Sequence, residues 1–104
     1  MARYRYHDDW HVSSSVDCNF WIGSRTLSDA LWIASLKGSE ALITVHADCK
    51  FDGFETVAHV GLLLKALRGK SIEEIFAMFD EQVDEYIASR ARTQQWGKNE
   101  APSL

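Results

Sequence analysis

The chain has 104 residues, 46% of them apolar and 12% aromatic, which suffices for one packed domain and places it far from the composition of a disordered protein. Eleven Lys and Arg against fifteen Asp and Glu give a formal charge of −4 with no basic stripe, so broad nucleic-acid binding is disfavoured. No apolar run reaches the length of a membrane span, and the first residues lack the apolar core of a secretion signal, so the expectation is a cytoplasmic protein without membrane contact.

Residues 2–7 alternate Arg3 and Arg5 with Tyr4 and Tyr6, the period of a half-buried strand. The polar stretch from Asp8 to Ser15, interrupted by Trp10 and Val12, reads as a loop. Val16, Cys18, Phe20 and Ile22 share one face of a second predicted strand over 16–22, which turns Trp21 to the other face. Thr26-Leu27-Ser28-Asp29 matches a helix capping box, yet Leu31-Trp32-Ile33 is strand-like. That run and Ala41–His46 flank Lys37-Gly38-Ser39-Glu40, and two apolar runs about a glycine-containing link predict a β-hairpin.

After Asp48 the period changes. Phe54, Val57, Ala58, Gly61, Leu62, Leu64 and Leu67 recur at three and four, which predicts a central buried helix ending near Arg68-Gly69. Ser71-Ile72-Glu73-Glu74 is a second capping box and opens a last helix. Ile72, Ile75, Phe76, Phe79, Val83, Tyr86 and Ile87 form its inward face, and it is expected to reach about Gln94. Residues 1–95 thus form one domain, and 96–104 are expected to be a flexible tail. The fold class is α+β: an antiparallel sheet of three or four strands followed by two helices packed on one face, in two layers.

Several residues stand out chemically. Glu73, Glu74, Asp80, Glu81, Asp84 and Glu85 occur without a base among them, as a solvated helix face or a patch for a basic partner. Cys18 and Cys49 have no zinc-ligand spacing, and neither a metal nor a cofactor is expected. Cys18 reads as core. A His/Asp/Cys set can be drawn from His46, Asp48, Cys49 and His59, although a polar strand end and a surface histidine explain it as well. His7 and His11 flank Asp8-Asp9-Trp10 in what reads as a solvated loop. Phosphate-loop, serine-elbow and zincin motifs do not occur, so an enzyme is not the leading expectation. A sheet with helices on one face leaves the other to solvent or to a partner, and Trp21 and Trp32 are the aromatic anchors such a partner would use.

From Thr26 to Arg92 the chain resembles the SufE-type sulfur-acceptor proteins, which share a fold with IscU-type iron–sulfur scaffolds. The resemblance rests on Leu31-Trp32-Ile33, the turn at Lys37-Gly38, Val45-His46-Ala47-Asp48-Cys49, Leu62-Leu63-Leu64, Gly69-Lys70-Ser71, Ile72-Glu73-Glu74-Ile75 and Ser89-Arg90. Asp48-Cys49-Lys50-Phe51 is similar to a segment of the IscU-type proteins. The family's sulfur-accepting loop cysteine aligns with Leu27, so the resemblance implies sulfur transfer or iron–sulfur assembly acting through Cys49, at the same end of the sheet, or through partner binding alone. The alternative expectation is a non-enzymatic binding module or inhibitor, of the immunity or counter-defence type. It would use Trp21, Trp32 and the acidic residues Glu73, Glu74, Glu81 and Glu85, with a protein partner or a second copy of the chain.

Overall fold

The computed structural model describes residues 2–17 and 19–100. Its elements are β1 (Arg5–Tyr6), β2 (Trp10–Ser14), β3 (Trp21–Ser24), α1 (Leu27–Lys37), β4 (Ala41–Phe51), β5 (Phe54–Leu63), α2 (Leu64–Leu67) and α3 (Ile72–Glu100). The fold is α+β, a five-stranded antiparallel sheet with the helices packed on one side.

β4 is the spine of the sheet. β5 pairs along one edge of it, from Phe51↔Phe54 to Leu42↔Leu63. The N-terminal segment pairs along the other edge, β1 at Arg5↔Asp48 and Tyr6↔Ala47, β2 from His11↔Thr44 to Ser14↔Ala41. Between these two registers His7, Asp8, Asp9 and Trp10 oppose only Val45 and His46, a bulge held by the bond from His7 N–H to the His46 carbonyl. β3 pairs outside β2.

Strand alternation divides the sheet into two faces. Ala41, Ile43, Val45, Ala47 and Cys49 of β4 are buried under the helices, with Trp10 and Val12 of β2 and Ala58 and Val60 of β5. α1 contributes Leu27, Ala30 and Ala34, a narrow stripe whose alanines let the helix lie close to the sheet, and α3 contributes Ile75, Phe79 and Val83. Trp10 packs edge-on against Phe79, with ring centroids 5.5 Å apart.

Several sequence expectations need correction. The predicted loop over 8–15 contains β2, because Trp10, Val12 and Ser14 alternate inward against His11 and Ser13. The predicted strand over 16–22 begins only at Trp21, and Val16 is exposed rather than inward. Cys18 lies outside the described residues. Leu31-Trp32-Ile33 is helical, so the hairpin expected there does not form. The capping signal prevails instead: the Thr26 hydroxyl accepts from the Asp29 N–H at 3.1 Å, and Gly38 closes the helix at φ +94°.

The predicted central helix from Phe54 is the strand β5, with only the four residues of α2 helical. Its origin is Asp52-Gly53, whose φ angles of +54° and +81° are those of a type I′ turn. That turn folds Phe54–Leu63 straight back along β4. The last helix forms as expected and continues past Gln94 to Glu100.

α3 also holds the beginning of the chain. Asp80, with 3% of its side chain exposed, accepts from the Tyr6 hydroxyl at 2.7 Å and from the Arg3 N–H at 3.0 Å. Asp84 receives the Arg3 guanidinium and the Tyr4 hydroxyl, and those two bonds hold its carboxyl below the usual range. Burial, followed by the bond to Asp80, pushes the Tyr6 phenol well above its ordinary pKa. Glu74 completes the second capping box, accepting from the Ser71 N–H at 2.9 Å while its own N–H donates to the Ser71 hydroxyl.

Candidate functional site

The helix-free face of the sheet collects the chain's chemistry. All four histidines lie on it: His11 from β2, His46 from β4, His59 from β5, and His7 from the bulge. The strand period places them there, since each sits one residue out of phase with the buried set.

Two histidines are oriented by carboxylates. His7 Nε2 and Asp48 Oδ1 are 2.6 Å apart, and His46 Nδ1 and Asp9 Oδ2 are 2.7 Å apart. His46 and His59 face each other across the β4–β5 ladder with their rings stacked, centroids 4.6 Å apart at an interplanar angle of 16°. Burial alone would raise the Asp9 carboxyl, but the hydrogen bond and positive charge of His46 outweigh it and hold it below the ordinary value.

Trp21 adds an apolar anchor. It is 60% exposed, pairs with Ser13 at the outer edge, and stacks on His11 at 4.9 Å. Thr44 lies between His11 and Gly61 in the middle of the face and is only 8% exposed. Among the described residues, the buried side-chain polar atoms without a hydrogen-bond partner are Thr44 Oγ1 and Asp9 Oδ1, both belonging to this face.

The other sequence-singled residues are not assembled here. Trp32 is exposed on α1, on the helix layer, so it and Trp21 belong to opposite sides of the molecule. Glu73, Glu81 and Glu85 are exposed on α3, and Glu74 is engaged by its cap. Cys49 is 6% exposed and faces the helices, so it does not join His46, Asp48 and His59. Burial first, and then the charge of Asp48, push its thiol pKa up. Among the described residues no three His, Cys, Asp or Glu side chains are placed to hold a metal ion.

The arrangement provides a sheet face carrying four imidazoles, two of them held by carboxylates, an aromatic anchor and two unmet buried polar atoms. An imidazole oriented by a carboxylate can move a proton, but among the described residues no hydroxyl or thiol is hydrogen-bonded to any of these rings. Sequence reasoning located Trp21 on this face. It missed the histidine cluster because His11 was assigned to a loop and His59 to a helix. The Asp52-Gly53 turn signal would have placed His59 opposite His46.

No described helix is long and apolar enough to cross a membrane. Comparison with protein-family models, with curated proteins and with solved structures finds no match to this chain.

Proposed function

We propose that the chain is a protein-binding module whose recognition surface is the helix-free face of its sheet. The observation that carries this reading is the concentration on that one face of the four histidines and the exposed Trp21. Tryptophan is an anchor of protein interfaces, and the imidazoles beside it offer directional hydrogen bonds to a partner. The hollow beside Asp48, Glu55 and Val57 on this face holds about 240 Å³, below the usual size of a small-molecule site, so the polar and aromatic surface suits another protein better.

The test is affinity capture with the purified chain, using wild type beside Trp21→Ala and Trp32→Ala. A partner kept by Trp32→Ala and lost by Trp21→Ala supports the reading. A partner that both variants keep, or that only Trp32→Ala loses, overturns it.

The resemblance to sulfur-acceptor proteins carries a second reading, in which Cys49 takes up sulfur. Its support is position: Cys49 pairs with Thr56, which lines an open groove of about 630 Å³ between the β4–β5 turn and α3, and the positive charge of Arg90 in that groove favours the thiolate. This reading requires the strand end to open, because burial of the thiol works in the opposite direction. Thiol mapping, described below, decides it.

A further inference from the structure

The outer edge of β5 carries a self-complementary pattern. The His46 carbonyl is taken by His7 on the far side of β4, so the His46↔His59 pair is one of the non-hydrogen-bonded pairs of the β4–β5 ladder. The backbone groups of His59 therefore point away from β4, and by alternation so do those of Glu55, Val57 and Gly61. The bond from the Gly61 N–H to Gln82 Oε1, 3.1 Å, shows the same direction. That bond also covers the edge at Gly61, while the turn at Asp52-Gly53 ends it on the other side. Among the described residues the outward groups of Glu55, Val57 and His59 have no partner, and all three side chains are exposed.

We propose that a second copy of this chain adds to this edge, β5 against β5, antiparallel about a two-fold axis at Val57. The free segment is centred on Val57, and this register sets Val57 against the partner's Val57 and Glu55 against the partner's His59, twice by symmetry. A carboxylate thus faces an imidazole at both ends of an apolar centre. All three pairs are of the hydrogen-bonded type, so every free backbone group between the turn and Gln82 is satisfied.

The layer above the edge matches in the same register. Phe54 is 74% exposed and falls level with the partner's Val60, beside the partner's small groove formed by Leu62, Met78 and Gln82. Arg90 lines the groove at the Phe54 end, whereas Glu81 and Glu85 line the groove at the Leu62 end. A two-fold axis through Val57 exchanges the ends, so it turns Arg90, which shares its groove with Asp52 and Glu55, towards the end that carries the partner's Glu81 and the partner's Glu85. The assembly would be one continuous sheet with its two histidine faces on the same side. It does not rest on the recognition reading, because the pairing is made by the free backbone edge of β5, and His59 is the residue common to both surfaces.

The test is sedimentation equilibrium of the full chain over a concentration series. Wild type is expected to associate to a dimer. Val57→Lys places like charges across the axis, and Glu55→Lys opposes His59; each is expected to weaken association by at least about tenfold. The charge exchange Glu55→Lys with His59→Glu is expected to restore it. Glu55→Lys keeps the experiment decisive if Val57→Lys fails to fold, since position 55 is exposed near the hairpin end. A wild type that stays monomeric up to its solubility limit overturns the proposal, as does a dimer that these substitutions leave equally tight.

Discussion

His46 and His59 stand directly opposite each other in the β4–β5 ladder with their rings stacked, and Asp9 binds the Nδ1 of His46 from the bulge on the far side of β4. One imidazole thus ties together three segments of the sheet. Asp9→Ala is expected to cost about 1–2 kcal/mol of stability, because it leaves His46 without its oriented partner. Urea denaturation of the variant beside wild type measures this.

The pH dependence follows from four carboxyls. Asp9, Asp17, Glu74 and Asp84 are all held below their ordinary pKa, Asp17 chiefly by the Lys37 ammonium at 3.1 Å. A depressed folded-state pKa contributes stability that is present above the unfolded value, near 4, and is lost as pH falls through the folded one. The urea midpoint is expected to hold steady above about pH 5 and to decline below about pH 4. In Asp84→Asn that decline should be shallower; an unchanged acid limb would remove Asp84 from the account.

Asp80 is the buried member of the clasp between α3 and the N-terminal segment. Asp80→Ala strands the Tyr6 hydroxyl and the Arg3 N–H, so a loss of about 3 kcal/mol is expected. Amide exchange should show the protection of residues 3–6 falling further than that of β4.

Thr44→Val keeps the shape of the side chain and removes a buried hydroxyl that has no partner. Thr→Val substitutions ordinarily destabilise by losing a hydrogen bond; here the change is expected to be neutral or to stabilise by up to about 1 kcal/mol. Its neighbour Gly61 gives the opposite sign. A Cβ there would lie 2.8 Å from Thr44 Cγ2 and 3.2 Å from the Ile43 carbonyl oxygen, so Gly61→Ala should cost about 2 kcal/mol. Thr44→Ser removes Cγ2, so Gly61→Ala should cost less in that background, which a double-mutant cycle reads directly.

Cys49 is expected to alkylate slowly in the native protein at neutral pH and quickly after unfolding, as its burial and raised pKa require. Mass-spectrometric mapping of the modified site provides the measurement. Fast native modification of Cys49 would favour the sulfur-acceptor reading over the recognition reading.

The layer architecture was legible in the sequence because it depends on alternation and capping, both local. Ala41–His46 and Ser71–Ile87 carried those signals without competition. Phe54–Leu63 did not: Phe54, Val57, Ala58, Gly61 and Leu62 fit a helix, while Thr56, Ala58, Val60 and Leu62 fit a strand equally well. The deciding information was the two-residue turn before them. Leu31-Trp32-Ile33 misled in the other direction, since its Trp32 is exposed and α1 packs instead through Leu27, Ala30 and Ala34. The histidine face could not be read at all until both strands were placed, because its members come from four separate segments.

The clasp between Arg3, Tyr4, Tyr6 and the α3 carboxylates has a consequence for how the molecule is made. A ribosome releases residue 3 long before residue 84, yet their contact joins the two. The β4–β5 hairpin can form as soon as its own residues emerge, whereas the opening segment cannot be locked until α3 has left the exit tunnel. During synthesis its two tyrosines and arginines are therefore left waiting, and a segment translated before the hairpin is secured after it.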